Sequence, residues 1–371
     1  RDLFVRWARE ASLEVRWDAV GNIFARRAGT DPAAPPVLIG SHLDSQPSGG
    51  KFDGAYGVMA GLEVMRALNE QGVRTSAPLE VVSWTNEEGS RYVPVMMGSG
   101  VFADVFPLSE ALRAKDTEGI SAEEALKKIG YAGEARSYPV GAYFEAHIEQ
   151  GPVLEDTRTT IGVVQGALGQ RWFDVKLTGQ DAHAGPTPMH LRRDALLAAS
   201  RLVQEVNRIA NGYPDNARGT VGSLQVSPNS RNVVPGEVRL TVDLRNAEDG
   251  TLSAMAEDLR RTAAGVAAAC RVDAEVREVV YFPPCRFAGE LVDSVRGAAR
   301  ELGLSHCDIV SGAAHDAVYL ARVAPAAMVF VPCEGGISHN EFENARPDDL
   351  AAGCNVLMLA VLARANQGAT K

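Results

Sequence analysis

The chain has 371 residues with a formal net charge of −10, and 46% of its residues are hydrophobic and 23% charged. At roughly 150 residues per domain this length predicts two domains, and the composition excludes a disordered, collagen-like or coiled-coil protein. No apolar run approaches the ~20 residues that a membrane-spanning helix needs, and an acidic surface repels phosphate backbones, so we expect neither a membrane nor a nucleic acid as partner.

The five cysteines form an odd set without a CxxC pair. Such a set predicts neither a disulfide framework nor a thiolate zinc site, and it is typical of a protein from a reducing compartment. The first ten residues mix charged and apolar side chains and show no signal-peptide core. We therefore expect a cytoplasmic protein.

The first part of the chain alternates apolar strands with helical segments. Residues 2–29 predict a helix, a turn at 18–22 and the start of a strand. The short apolar runs at 37–40 and 79–84 predict buried strands, and 58–68 carries apolar residues at helical spacing. Strands separated by helices predict a mainly parallel sheet with helices on both faces. In such a sheet, ligand groups gather on the loops at the carboxyl ends of the strands.

The middle of the chain changes to alternating strands and two long helices. The predicted elements are strands at 172–177, 220–226, 238–244 and 274–281 and helices at 195–209 and 252–270. Their order, β-α-β-β-α-β, is that of a ferredoxin-like α+β sandwich. From about residue 283 the first pattern resumes, so we predict an α/β domain at 1–165 and 282–371 with an inserted domain at 166–281. The exposed sheet edge of such an insert is a common place for dimer pairing.

Histidines and acidic residues follow several of the predicted strands directly. Only seven histidines occur, and three of them, His42, His147 and His339, lie beside carboxylates in such loops. Asp53 stands in a glycine-rich segment that opens a helix. His, Asp and Glu without Cys indicate a hydrolytic site for zinc, manganese or cobalt. Five mixed ligands suit two metals that share one carboxylate.

Two pairs of nearby residues carry a further chemical signal. His42 and Asp44 alternate as in an extended chain, so Asp44 can hold the imidazole in the tautomer that binds a metal. Glu87 and Glu88 are adjacent carboxylates after a strand, which is costly unless a cation shares them or one is protonated.

Seven motifs of the chain resemble those of M20-type metallohydrolases, in the order in which that family has them. They are GSHLDSQPSGGKFDGAYGV, WTNEEGSRY, EAHIEQGPVLE, GQDAHAGPTPM, SRNVVPGEVRLTVDLR, SGAAHDA and ISHNEFE. Within the family the chain resembles the hydantoinase/carbamoylase amidases over essentially its whole length. These include N-carbamoyl-L-amino acid amidohydrolases, allantoate amidohydrolases and bacterial β-ureidopropionases. The resemblance implies a dimetal catalytic domain with an inserted lid and dimerisation domain.

The resemblance also implies roles for seven residues of the first domain. The implied ligands are His42 and His147 on one metal, Asp53 as the bridging carboxylate, and Glu88 and His339 on the second metal. Glu87 resembles the general base of the family, and Asp44 the residue that orients the ring of His42.

The inserted domain is implied to hold the substrate. His183 resembles the residue that crosses the dimer to stabilise the oxyanion. Asn232 and Arg245 resemble the groups that bind the substrate carboxylate, which a guanidinium can grip with two parallel hydrogen bonds. His315 lies in the SGAAHDA motif and is a candidate for lining the substrate site.

We therefore predict a homodimeric, metal-dependent amidohydrolase that acts on non-peptide linear amides, with two divalent ions (Zn, Mn, Co or Ni). Its expected substrate is a small ureido compound with a carboxylate, an N-carbamoyl amino acid, hydrolysed to amino acid, ammonia and carbon dioxide. Allantoate or a peptide-like amide stays open as the substrate. Outside the enzymes, an inactive, metal-free dimeric binding protein stays open, although the intact Glu87, Asp53 and His339 argue against it.

Overall fold

The computed structural model describes residues 1–134, 137–213 and 216–367. They form two compact units. Unit 1 comprises residues 1–166 together with those from 286 onward, and unit 2 comprises Ala167–Cys285. The sequence predicts the insert at 166–281, within four residues of these limits. In the described part of the chain, no helix combines the length and the apolar character needed to cross a bilayer.

The strands are β1 Glu14–Trp17, β2 Ile23–Arg27, β3 Val37–His42, β4 Leu79–Trp84, β5 Ala142–Ile148, β6 Ile161–Ala167, β7 Gly169–Thr178, β8 Ala182–His183, β9 Arg218–Ser227, β10 Val233–Val234, β11 Glu237–Asn246, β12 Asp273–Phe282, β13 Cys285–Arg286, β14 His306–Ser311 and β15 Ala326–Val331. The helices are α1 Asp2–Glu10, α2 Ala55–Glu70, α3 Met97–Phe102, α4 Leu108–Arg113, α5 Ala122–Lys128, α6 Val153–Asp156, α7 Ala195–Gly212, α8 Asp249–Cys270, α9 Gly289–Glu301, α10 Asp316–Leu320 and α11 Pro347–Ala365.

Unit 1 is built on a nine-stranded sheet with the order β1-β2-β4-β3-β5-β15-β6-β13, and β14 pairs with β6. The four central strands β4, β3, β5 and β15 run parallel. The pairs β2–β4 and β15–β6 on either side are antiparallel. The predicted mainly parallel sheet is therefore confirmed in its centre. Every residue of the four central strands is buried, as expected of parallel strands covered on both faces.

Helix α2 packs directly on the ends of β3 and β5 because Gly57 has no side chain. A Cβ at this position would lie 2.4 Å from the carbonyl oxygen of Ala146 and 2.8 Å from the Cβ of Ser41. No real Cβ makes such contacts, so glycine sets the distance between this helix and the two strands. The loop that precedes α2 is thereby held at the carboxyl ends of the central strands.

Unit 2 has the predicted β-α-β-β-α-β order, here β7-α7-β9-β11-α8-β12. Its four-stranded sheet has the order β12-β7-β11-β9, and every pair is antiparallel. The two central strands β7 and β11 alternate buried and accessible residues, and their buried side chains form one core with those of α7 and α8. This core is independent of the sheet of unit 1.

Candidate metal and catalytic site

The five predicted metal ligands converge in unit 1 around one carboxylate. The Nε2 atoms of His42 and His147 lie 3.6 and 3.2 Å from Oδ1 of Asp53. The Nε2 atom of His339 lies 3.3 Å from Oδ2 of Asp53 and 3.3 Å from Oε2 of Glu88. Asp53 therefore stands between two donor groups, one on each of its oxygens. This is the arrangement expected of two cation sites that share a carboxylate.

The backbone around the ligands adopts conformations that few residues tolerate. Gly54 has a φ of 66°, and a Cβ there would lie 2.4 Å from the ring of His42, so only glycine fits between Asp53 and that ring. Asn86, before the two glutamates, and His339 itself have φ values of 54° and 53°. Left-handed backbone at non-glycine residues costs free energy and concentrates at functional sites.

The two buried histidines present their Nε2 lone pairs to the site. His42 Nδ1 lies 2.9 Å from the backbone carbonyl oxygen of Asp44, and His147 Nδ1 lies 2.8 Å from that of Ile148. A carbonyl oxygen only accepts hydrogen bonds, so its position assigns the proton to Nδ1 in both rings. Metal-binding histidines are commonly held in this way.

The side chain of Asp44 has a different contact from the predicted one. Its carboxylate lies 3.8 Å from Nδ1 of His42, beyond hydrogen-bond distance, because the backbone carbonyl of the same residue occupies that position. The carboxylate instead accepts the backbone N–H of Glu87 at 3.2 Å and that of Glu88 at 3.1 Å. Asp44 thus holds the loop of the two glutamates, and its backbone orients the imidazole.

Glu87 is a buried carboxyl beside the first donor group. Its Oε2 lies 3.6 Å from Nε2 of His42. Burial raises the pKa of Glu87 to about 8; His42 opposes the shift, and the negative charges of Glu88 and Asp44 add to it. A carboxyl with a pKa near neutrality can accept a proton in one step and return it in the next.

The donor groups fit divalent cations. Oε2 of Glu88 accepts a hydrogen bond from Nε2 of Gln46 at 2.8 Å, whereas its buried Oε1 has no hydrogen-bond partner. Hydrogen bonds with Asp53 and Glu88 raise the pKa of His339 to about 10. A buried carboxylate oxygen without a partner, beside imidazole nitrogens and without any thiolate, is what a cation bound by N and O ligands satisfies.

His315, a predicted substrate-binding residue, lies behind His147. It is 3% exposed, and its Nε2 lies 2.9 Å from Oγ of Ser311. Its ring meets that of His147 edge-on with centroids 4.6 Å apart. Burial lowers the pKa of His315 well below the usual value, so the ring is neutral. These contacts favour support of the His147 ring over contact with a substrate.

Two of the predicted residues of unit 2 lie together at the end of a β-ribbon. His183 is exposed on β8, where it pairs with Val233 of β10. The backbone N–H of Ala184 donates to the carbonyl oxygen of Asn232 at 2.8 Å. The backbone N–H of Gly179 donates to the carbonyl oxygen of Gly236 at 2.7 Å, so the ribbon continues the β7–β11 ladder past its end.

Arg245 lies near the other end of β11. Its Nη2 bonds Oδ2 of Asp243 at 2.8 Å, and its Nε lies 3.2 Å from Oδ1 of the same residue. Arg245 lies eight positions along the extended strand from Glu237, next to the ribbon, which corresponds to about 26 Å. Within unit 2, Arg245 and the pair His183–Asn232 therefore stand far apart.

Comparison with known proteins identifies the family. Residues 38–363 match the model described as "Peptidase family M20/M25/M40". The chain belongs to this family.

Its M20 relatives and neighbours support the more specific resemblance. An N-carbamoyl-L-amino-acid amidohydrolase of Rhizobium meliloti is 47% identical, over 98% of this chain and 88% of that protein. An allantoate amidohydrolase of Bacillus subtilis is 36% identical, over 93% of this chain and 85% of that protein. The crystal structure of a hydantoinase/carbamoylase family amidase from Burkholderia multivorans has a TM-score of 0.97 and 55% identity, and the match covers 98% of this chain and 89% of that one. The predicted resemblance is confirmed.

In this M20 protein, several polar side chains that the sequence does not predict as site residues contact the metal ligands. Gln46 donates to Glu88, and Gln150 and Ser338 contact Oδ2 of Asp53. Glu343 binds the loop of Asp53. All lie in or beside motifs that the sequence singles out, but nothing in the spacing of those motifs indicates which side chains turn toward a ligand.

Proposed function

We propose that the chain hydrolyses the ureido C–N bond of N-carbamoyl amino acids in a dimetal site. One observation carries the proposal: the two oxygens of Asp53 face separate donor groups, and the buried carboxyl of Glu87 lies beside the first of them. Such an arrangement suits hydrolysis at a carbonyl carbon. The Rhizobium meliloti relative, an N-carbamoyl-L-amino-acid amidohydrolase, supports the choice of substrate.

His42, His147 and Asp53 would hold one cation, and Asp53, Glu88 and His339 the other. The donor set suits Zn, Mn, Co or Ni. Divalent cations bound there supply Lewis acidity and lower the pKa of water. The chain's own part in the reaction is to position the ureido group and to move protons.

Glu87 is the proton carrier in this proposal. It accepts the proton of the water that attacks the carbamoyl carbon and passes it to the leaving nitrogen. Water and R–NH–CO–NH₂ give R–NH₂, ammonia and carbon dioxide. The pKa of about 8 suits both transfers near neutral pH. His183 donates a hydrogen bond to the oxyanion that forms on the way.

The substrate carboxylate is gripped by Asn232 and Arg245. Arg245 already bonds Asp243, which fixes the direction of the guanidinium. The planar guanidinium of an arginine binds an ionised carboxylate better than the ammonium of a lysine does, because it offers two parallel hydrogen-bond donors.

We further propose that the working form is a homodimer joined through unit 2. Arg245 stands about 26 Å along β11 from Glu237, and the pair His183–Asn232 lies in the ribbon beyond that end of the strand, too far to reach one small ureido acid together with Arg245. Two copies remove this obstacle, because one chain contributes Arg245 and the other the pair. Strand β9 offers an edge on which no residue is buried. The apolar side chains exposed around the start of the adjoining α7 are Met189, Leu191, Leu196 and Leu197.

Complementation tests the shared site. His183→Ala and Arg245→Ala are each expected to abolish turnover. The two variants are unfolded, mixed in equal amounts and refolded, so that half of the dimers contain one chain of each variant. Each mixed dimer has one intact site out of two. The mixture should therefore recover about a quarter of the wild-type activity. A mixture that stays inactive while forming mixed dimers would mean that both residues come from one chain.

A substrate panel tests the activity itself. The metal-reconstituted protein is assayed on N-carbamoyl-L- and D-amino acids, allantoate, ureidoglycolate and dipeptides. We expect the highest kcat/KM on an N-carbamoyl amino acid. Allantoate is the second candidate, supported by the relative from Bacillus subtilis. Cleavage of dipeptides alone would refute the proposal, and absence of both turnover and cation binding would favour a binding protein. We place the protein in the cytoplasm because its five cysteines form an odd set without a CxxC pair, which is typical of a reducing compartment.

A further inference from the structure

A buried carboxylate outside the ligand set joins the loop of Asp53 to the loop of His339. Glu343 is 2% exposed. Its Oε1 accepts the backbone N–H of Phe52 at 2.9 Å and that of Asp53 at 3.0 Å. Its Oε2 lies 2.8 Å from the hydroxyl of Ser338. Glu343 therefore binds the backbone at the bridging ligand and the residue directly before His339.

The same network reaches one particular oxygen of Asp53. Oδ2 of Asp53 lies 3.1 Å from the hydroxyl of Ser338 and accepts Nε2 of Gln150 at 2.9 Å. Ser338 has a single hydroxyl hydrogen, which lies between the carboxylates of Asp53 and Glu343. Oδ2 is also the oxygen that faces His339. The contacts thus converge on the side of the second cation.

The loop before Asp53 is shaped around Glu343. A Cβ at Gly50 would lie 2.0 Å from the carboxyl carbon of Glu343, so only glycine lets the backbone close over that side chain. His339, in contrast, is half exposed and lies in left-handed backbone outside any strand. Its position depends on contacts of this kind.

We propose that Glu343 is a positioning residue that sets the affinity of the second cation, the one held by Asp53, Glu88 and His339. It acts by fixing Oδ2 of Asp53 and the start of the His339 loop. The first cation depends on it less, because His42 and His147 belong to central strands whose ends the sheet fixes. The inference rests on the dimetal site of the proposed function and adds a residue that determines its occupancy.

Variants with a single cation site test this selectivity. His42→Ala leaves the second site, and His339→Ala leaves the first. Adding Glu343→Ala to His42→Ala should weaken binding of Co²⁺ or Zn²⁺ about 10–100-fold, the usual effect of losing a residue that supports a metal ligand. Adding it to His339→Ala should change the affinity little. Glu341→Ala, an exposed acidic residue two positions away, is the matched control and should change neither.

Two more conservative variants distinguish a positioning role of Glu343 from a general effect on folding. Ser338→Ala keeps the amide bonds of Glu343 and removes only the hydroxyl, so it should weaken the second site by a smaller factor. Glu343→Gln keeps an oxygen for the two amides, and its NH₂ group can donate to Ser338, which then gives its hydrogen to Asp53. This variant should recover most of the affinity that Glu343→Ala loses. Thermal unfolding of each cation-free variant checks that the chain is folded.

Equal weakening of both sites, or no weakening of the second, in the folded Glu343 and Ser338 variants overturns the proposal. Because cations are titrated without substrate, an absence of ureido hydrolysis would refute the proposed function and leave this result standing.

Discussion

Replacing Asp44 by asparagine distinguishes two possible roles of this side chain: holding the loop of Glu87 and Glu88, and orienting the ring of His42. In the structure its carboxylate accepts the backbone N–H groups of Glu87 and Glu88, at 3.2 and 3.1 Å. The ring of His42 is held by the backbone carbonyl of Asp44, which the substitution keeps. We therefore expect Asp44→Asn to disturb the glutamate loop and to leave His42 in place.

The size of the effect follows from these two bonds. Asparagine keeps one oxygen, so one hydrogen bond to a charged acceptor is lost and an NH₂ group faces the other N–H. Such a bond contributes about 1.5–3 kcal/mol. The side chain of Asp44 is 31% exposed, and water replaces part of the loss, so we take about 2 kcal/mol. If the loss falls on the transition state, kcat/KM drops about 30-fold.

The assay combines turnover with cation binding. Asp44→Asn is compared with Asp156→Asn, the same change at an exposed position of unit 1, which should behave as wild type. In the His339→Ala background the first cation should bind Asp44→Asn with unchanged affinity. A loss of first-site affinity as large as the loss of rate would show that the carboxylate acts on His42, and the reasoning would fail.

Three further predictions concern the proton carrier, the second cation and the substrate grip. Glu87→Gln keeps the shape of the side chain but accepts no proton, so kcat should fall about 10²–10⁴-fold while metal analysis still finds both ions. In the cation-free chain His339 keeps a proton up to a pKa of about 10, and a cation must displace it. The second affinity should therefore rise with pH by up to about tenfold per unit, and calorimetry in buffers of different ionisation enthalpy should detect about one proton released. Arg245→Lys should raise KM more than it lowers kcat on a carbamoyl amino acid, with a smaller effect on its carboxamide analogue; equal losses on both would mean that Arg245 does not bind the carboxylate.

The sequence predicts the long, periodic elements well. The helix expected at 195–209 spans Ala195–Gly212, and the strand expected at 79–84 spans Leu79–Trp84. The short helices between Met97 and Asp156 are not predicted. Four to seven residues contain too few turns for a clear apolar period.

The ligand set is predictable because its chemistry is unusual. His42 and His147 stand at the ends of β3 and β5, and His339 lies in the loop that follows β15. Each has a carboxylate near it in the sequence, and the topology brings the ends of these neighbouring strands together. The supporting contacts are not predictable in the same way. The positions of Asp44 and Glu343 in the sequence reveal that a carboxylate is available, but whether it meets an imidazole or a backbone N–H depends on loop conformations set by tertiary contacts.

The strand order of unit 1 has a consequence for the growing chain. The strand β15, made almost last, pairs with β5 and β6, both made before unit 2. Unit 2 is one continuous stretch with its own core, so it can fold while the rest is still being synthesised. The central sheet of unit 1 must wait for β15, and the cluster of metal ligands around Asp53 must wait for His339. Until β15 has been synthesised, β5 has one unpaired edge in what becomes the middle of the sheet. Unpaired edges of this kind are prone to aggregation, and chaperones protect them.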